Sequence, residues 1–123
     1  MAGRFKFFAM AKAAAAKSYE LEDWGFRAGA AKGECKIAGV FYSKENGVKT
    51  GVWECSPGSF LVENRANTES CYILSGKIKM TDLDSEGHPE IDIQAGDSFV
   101  LEKGSSVRWT IVETCRKFFV IAE

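Results

Sequence analysis

From residue 35 to the C-terminus, the chain is a succession of short segments in which apolar and polar residues alternate. Glycine, proline or a polar turn separates these segments roughly every ten residues, a spacing typical of antiparallel sandwiches and barrels. A period of two indicates strands with one buried face. No segment after residue 35 has the length and periodicity of a helix. We therefore predict a single all-β domain over residues 35–123.

The first 34 residues do not follow this pattern. Residues 1–19 carry four basic side chains and no acidic one, and the alanine-rich stretch over 7–17 favours a helix. A helix docked on the body, a disordered leader and an organelle transit peptide are the three alternatives, and the docked segment is preferred. Residues 20–34 are predicted to form an irregular arm whose aromatic side chains pack onto the sheet. The N-terminal segment 1–34 is thus expected to lie on the body as an arm or short helix.

Composition excludes several classes of function. The chain has 123 residues, enough for one sizeable core, and a formal net charge of -1, which argues against general nucleic-acid binding. No apolar run is long enough to cross a membrane. The four cysteines form no CxxC pair and the single histidine lies in a turn. We therefore expect reduced thiols in a cytosolic protein and no thiol or histidine catalysis.

The stretch 58–76 contains the most informative charges. It is predicted to form two strands joined by a polar turn, with Glu63 and Arg65 on one face of the first strand and Glu69 on the second. Charges that face a barrel interior must be paired. Either Arg65 bridges both glutamates in a sealed core, or the barrel is open. In the open form, Arg65 would bind a carboxylate or phosphate and a glutamate would accept a proton.

Other strand residues are candidates for the walls of such a pocket. Val107 and Trp109 share one strand face, and Lys117 alternates away from its apolar neighbours. Trp53 and Tyr72 are further candidates, although strand aromatics more commonly belong to the core.

Two motifs carry a resemblance to a known family. In ESCYILSG, Glu69 and Gly76 stand at the last two positions of the first cupin motif, and in GDSFVLEKG, Gly96 and Gly104 have the spacing of the second. The chain resembles the small single-domain cupins similar to (S)-ureidoglycine aminohydrolase and to the ethanolamine-utilisation cupin. The segments that carry this finer resemblance are GVWECSPGSF, ESCYILSGKIKMTD, AGDSFVLEKG and WTIVETCRKFFVI.

The resemblance implies a double-stranded β-helix, which is a jelly-roll barrel, and it implies a homodimer. It also suggests that Lys117 reaches into the barrel; the alternative is a solvated lysine at a sheet edge. A dimer suits a fold whose strand edges need covering.

The departures from the cupin motifs concern the metal ligands. Glu63, Arg65 and Val107 occupy positions where cupins have histidine. Transition metals prefer those missing nitrogen ligands, so no tightly bound metal is expected. Glu63 and Glu69 alone would hold Mg²⁺ or Mn²⁺ only weakly.

These features predict a cupin that binds a small polar or anionic metabolite. As an enzyme it would be a lyase, isomerase or hydrolase of a nitrogenous or sugar-like compound, with Glu63 or Glu69 moving a proton and Arg65 holding the anion. The alternative is a non-catalytic structural or ligand-binding cupin. The residues alone leave open whether the protein is an enzyme.

Overall fold

The computed structural model describes residues 4–123 and is built almost entirely from antiparallel strands. One short helix, α1 (Met10–Ala15), and a 3-10 turn (Ser18–Glu20) precede them. The eight strands are β1 (Glu22–Phe26), β2 (Lys36–Glu45), β3 (Val48–Cys55), β4 (Gly58–Val62), β5 (Thr68–Asp82), β6 (Glu90–Gln94), β7 (Ser98–Leu101) and β8 (Val107–Ala122).

Two long strands organise the sheet. The strand order is β1-β2-β3-β8-β5-β6, while β4 also pairs with β8 and β7 also pairs with β5. Strands β5 and β8 pair with each other along nearly their whole length. The predicted all-β jelly-roll fold is confirmed.

The bend in β5 allows one strand to serve two parts of the sheet. Its first part pairs with β7 and its second part with β6, and the register shifts between Ile73 and Ile78. Gly76 lies within this irregular region with a φ of 95°. An added Cβ there would lie 2.3 Å from the carbonyl oxygen of Thr114. The bend predicted at Gly76 therefore requires glycine both for its backbone angle and for space.

The N-terminal region is more regular than we predicted. Residues 22–26, expected to be irregular, form β1 and pair with β2. The ring of Trp24 packs closely on the sheet, since a Cβ added to Gly39 would lie 2.3 Å from it. This contact agrees with the predicted packing of aromatic side chains on the sheet. Phe26 is exposed instead. Strand β1 extends the edge of the sheet, where backbone pairing overrides a weak apolar pattern.

Helix α1 is docked on the outer face of the sheet. Just before it, the ring of Phe8 stacks on Tyr42 with centroids 4.8 Å apart. The predicted segment begins at residue 1, and its first three residues lie outside the described part of the chain. Within residues 4–123, no helix combines the length and the apolar character needed to cross a membrane.

The core lies between the inward faces of the strands. Trp109, Ile73 and Ile78 are almost completely buried in it. The four cysteines are also buried, and each is a free thiol. Burial is the main cause that raises the pKa of Cys71 and of Cys115 to about 12, so both are neutral thiols at physiological pH.

Candidate functional site

A cavity of about 230 Å³ lies within the barrel beside this core. Strand alternation brings its walls together, because Trp53 of β3 is the register partner of Lys117 of β8, and both side chains point inward. Two half-exposed residues on its rim, Phe41 and Lys49, connect the cavity with the surface. The side chains that line it are Trp24, Arg27, Ile37, Phe41, Lys49, Trp53, Phe60, Val62, Arg65, Glu69, Trp109, Lys117, Phe119 and Ile121.

Three charged side chains form a buried group in the cavity, which we call the inner triad: Arg65, Glu69 and Lys117. The Lys117 Nζ donates to Glu69 Oε2 at 2.7 Å, and Arg65 Nη2 donates to Glu69 Oε1. Glu69 and Lys117 are only 4% and 5% exposed. The neighbouring thiol of Cys71 also donates to Glu69 Oε2, at 3.2 Å. With two cations around one carboxylate, the inner triad has a net charge of +1.

The triad keeps its members ionised. Burial alone would raise the pKa of Glu69, but the charges and hydrogen bonds of Lys117 and Arg65 outweigh it and lower that pKa. Burial would lower the pKa of Lys117, but the neighbouring Cys71 and the Glu69 carboxylate outweigh it and raise that pKa. Glu69 is therefore a carboxylate and Lys117 an ammonium across the physiological pH range.

Aromatic rings hold the Lys117 ammonium from two sides. Its Nζ lies 4.4 Å from the ring centroid of Trp53 and 4.5 Å from that of Trp109. Such cation–π contacts stabilise a desolvated ammonium by on the order of 2 kcal/mol. The lysine is thus fixed in place rather than free to move within the cavity.

Two polar donors in the cavity wall are left without a partner. Among the described residues, no acceptor lies within hydrogen-bonding distance of Arg65 Nε or of Trp109 Nε1, and both atoms are buried. A buried donor without a partner costs roughly 1–3 kcal/mol. Both donors belong to side chains that line the cavity, and because neither nitrogen is itself accessible to solvent, a bound acceptor would reach them after a shift of the neighbouring side chains.

Comparison with known proteins identifies the family. The model of the EutQ-like cupin domain matches residues 42–119, which is more than half of the chain. This chain belongs to the EutQ-like cupin family. No curated protein matches the sequence.

Solved structures share the fold of this chain. EutQ of Clostridium difficile is 13% identical over 72% of this chain and 68% of that chain, with a TM-score of 0.61. A putative ethanolamine utilization protein Q from Salmonella typhimurium is 17% identical over 71% and 69%, with a TM-score of 0.60. A DUF861 family protein from Thermotoga maritima is 32% identical over 55% of this chain and 73% of that chain, with a TM-score of 0.50.

Glu63 does not belong to the site of this EutQ-like cupin. It is exposed and does not line the cavity, whereas we predicted it to share the inward face with Arg65. Strand β4 ends at Val62, and its alternation, with Phe60 and Val62 inward and Leu61 outward, continues to place Glu63 outward. The φ of 45° at Asn64 then breaks the alternation before Arg65. The inward face of β4 carries Phe60 and Val62 instead.

Arg65 enters the cavity from a loop rather than from a strand. Its N–H donates to the carbonyl of Ser105 at 3.0 Å, and its carbonyl accepts from the N–H of Gly104 at 2.7 Å. These bonds attach the loop to the turn before β8. Arg65 pairs with Glu69 alone and not with two glutamates, since Lys117 is the second partner of Glu69.

The remaining predicted residues divide into two groups. Trp53, Trp109 and Lys117 line the cavity together. Tyr72 is 40% exposed on the outer face, and Val107 is buried outside the cavity, so neither contacts the inner triad.

Sequence reasoning also missed the two other charged residues of the cavity lining, which come from distant segments. Arg27 lies with its guanidinium carbon 4.8 Å from the ring centroid of Phe60, and Lys49 lines the rim. Strand alternation could have shown that Lys49, the register partner of Ile121, points inward. Nothing in the sequence around Arg27 indicates that this arginine reaches the cavity.

The site does not fit the divalent metal common in cupins. Both oxygens of Glu69 already accept from cations, and two positive charges within hydrogen-bonding distance would repel a third. The other predicted ligand, Glu63, is outside the cavity. Among residues 4–123, no cluster of three His, Cys, Asp or Glu side chains could hold a metal ion. The cationic pair around Glu69 occupies the cavity where cupin metal ligands would be expected.

Proposed function

We propose that this cupin binds a small organic anion in its cavity. The observation that carries the proposal is the charge imbalance of the inner triad, in which the buried Lys117 and the partly buried Arg65 surround one carboxylate. An excess buried charge is expensive unless a counter-ion satisfies it. A negatively charged ligand would neutralise the triad.

The unpartnered donors support the same ligand. An anion beside Arg65 and Trp109 would accept from the Arg65 Nε–H and the Trp109 Nε1–H, neither of which has a protein acceptor among the described residues. Arginine is well suited to carboxylates and phosphates because its donors form a planar fork. Arg27 and Lys49 add positive charge near the rim, which would favour the entry of an anion.

The chemistry of the triad favours binding over catalysis. Glu69 has a lowered pKa and its two oxygens already accept hydrogen bonds, so it is a weak general base. Lys117 has a raised pKa and is therefore not a nucleophilic amine. The lyase, isomerase or hydrolase hypothesis assigned proton transfer to Glu63 or Glu69, and of these Glu63 is exposed outside the cavity. Both the predicted homodimer and the cytosolic location stay predictions.

Thermal unfolding of the full chain with paired probes tests this function. Acetate, benzoate and inorganic phosphate are the anions, and acetamide and benzamide are their neutral counterparts. At least one anion should raise the melting temperature while the amides do not. A ligand at 100 times its Kd stabilises the folded state by about 2.7 kcal/mol.

Variants connect such an effect with the cavity. Lys117→Met should abolish the stabilisation by anions, while Lys77→Gln, an exposed lysine, should preserve it. A flat response to every anion, or an equal response in Lys117→Met, would contradict the proposal and favour a structural cupin.

A further inference from the structure

The composition of the cavity wall restricts the ligand further. Of the fourteen described side chains that line it, nine are apolar and five are charged, and none is Ser, Thr, Asn, Gln, His or Tyr. Each hydroxyl of a hydroxyl-rich ligand needs a hydrogen-bond partner once it is buried, and Glu69, the one carboxylate among these side chains, already accepts from Lys117, Arg65 and Cys71. The wall therefore disfavours a sugar-like compound and accepts an apolar body.

The apolar part of the wall is mainly aromatic. Phe60 and Trp109 stack with centroids 5.8 Å apart and an interplanar angle of 13°, and Trp53 lies 5.7 Å from Trp109. Elsewhere in the lining, the ring centroid of Phe41 lies 5.1 Å from that of Trp24 and 5.8 Å from that of Phe119. Aromatic walls favour a flat π system, since its edge and face can pair with theirs.

The size of the cavity and the charge of the inner triad suit a ligand with one ring and one negative group. An apolar cavity of about 150 Å³ is sufficient for benzene, and this cavity measures about 230 Å³. The remaining volume suits a carboxylate. The inner triad needs a single negative charge for neutrality.

We infer that the ligand is a planar aromatic or conjugated monocarboxylate. Its carboxylate would contact Arg65, Lys117 and the indole N–H of Trp109, and its planar body would lie among the aromatic rings. This inference rests on the proposed function, because it names the class of anion for the same cavity.

Calorimetric titration of the full chain with four matched probes tests the inference. Benzoate is the reference, cyclohexanecarboxylate lacks planarity, benzamide lacks the charge, and glucuronate replaces the apolar body with hydroxyls. Benzoate should bind roughly tenfold more tightly than cyclohexanecarboxylate, because aromatic pairing adds to area burial. Benzoate should also bind about 100-fold more tightly than benzamide or glucuronate, since each of these two ligands leaves buried polar groups unpaired.

Two variants separate the aromatic wall from the donors. Trp109→Phe keeps a ring but removes the N–H, and should weaken every carboxylate about tenfold. Phe41→Leu, at a half-exposed position that tolerates change, should weaken benzoate but not cyclohexanecarboxylate.

The outcomes distinguish the two proposals. If glucuronate or inorganic phosphate binds in the cavity more tightly than benzoate, the inference is wrong and the proposed anion binding stands. Equal affinities for benzoate and cyclohexanecarboxylate overturn the planar requirement. If no anion binds, both proposals fail.

Discussion

Two consecutive residues of β8, Arg116 and Lys117, form ion pairs on opposite faces of the sheet. Arg116 points outward, where its Nη2 donates to Glu54 Oε1 at 2.8 Å and its Nη1 donates to carbonyl oxygens at the end of α1. Lys117 points inward and pairs with Glu69 in the cavity. Both basic side chains are about 95% buried.

The two ion pairs differ in charge balance. On the outer face, one cation meets one carboxylate and the carbonyls of a helix C-terminus, which carry partial negative charge. On the inner face, Arg65 is a second cation for the single carboxylate. The outer pair is therefore neutral and attaches α1 to the sheet, while the inner triad has a positive charge that no further carboxylate among residues 4–123 balances.

Access to a cavity is the second difference. A guanidinium Nε has no partner in either group, at Arg116 outside and at Arg65 inside, so an unpartnered donor alone does not indicate a ligand site. Only Arg65 lines the cavity. The inner triad combines excess charge with space for a ligand, and this combination separates it, as a candidate binding group, from the structural pair of Arg116 and Glu54.

The largest effect should come from Glu69→Gln. Removal of the carboxylate leaves Arg65 and Lys117 buried without a partner, and breaking a buried pair in this way costs roughly 3–5 kcal/mol. Urea unfolding measures the loss. The matched change Glu54→Gln should cost less, about 1–3 kcal/mol, because Arg116 keeps its carbonyl partners.

Added benzoate gives a second test of the difference between Glu69→Gln and Glu54→Gln. Glu69→Gln raises the charge of the cavity, so benzoate should restore part of its stability and should have no such effect on Glu54→Gln. Equal losses in the two variants, with no rescue by benzoate in either, would show that the two ion pairs play the same role.

A smaller loss is expected from Arg116→Met. The carbonyls of Ala13, Ala14 and Ala16 lose their donor, at a cost of about 1–3 kcal/mol, and α1 should detach from the sheet. Amide hydrogen exchange over residues 10–16 should accelerate, while the affinity for benzoate stays unchanged. Lys117→Met should abolish benzoate binding and leave amide exchange over residues 10–16 unchanged, because it leaves Arg65 and Glu69 as a neutral pair and removes the excess charge. A loss of benzoate binding in Arg116→Met would refute the separation of the two faces.

Alternation along single strands predicted much of this arrangement. The inward face of β5, with Glu69, Cys71 and Ile73, and the inward position of Trp109 follow from a period of two. The bend at Gly76 followed from its residue type. These features are local, so the sequence contains them directly.

Features that depend on backbone irregularity or distant contacts escaped prediction. The positive φ of Asn64 breaks the alternation between Glu63 and Arg65, so Arg65 enters the cavity while Glu63 stays outside. Parity indicates that Lys117 points away from Phe118, but only the pairing of β3 with β8 brings it beside Trp53. The outward role of Arg116 depends on a helix about 100 residues away in the sequence.

The pH dependence of stability should reflect the inner triad. The folded-state pKa of Glu69 is lowered, so its contribution is present above the ordinary value of 4.5 and is lost as the pH falls through the folded pKa. The pKa of Lys117 is raised, so its contribution is present below 10.5 and is lost as the pH rises through the folded pKa. Urea midpoints should thus form a plateau between these values. Glu69→Gln should flatten the acid limb, and an unchanged acid limb in that variant would assign it to other carboxylates.

The smallest effect is expected for an ion pair on the surface, where neither side chain is buried. Lys77 Nζ and Glu113 Oε1 are 3.8 Å apart, and both side chains are 60% exposed. Solvent screens such pairs, so Lys77→Ala should change the free energy of unfolding by at most about 0.5 kcal/mol. Urea unfolding at low and high salt is the measurement. A loss near that of Glu69→Gln would mean that burial and charge balance do not set the strength of ion pairs in this protein, and the contrast between Arg116 and Lys117 would lose its physical basis.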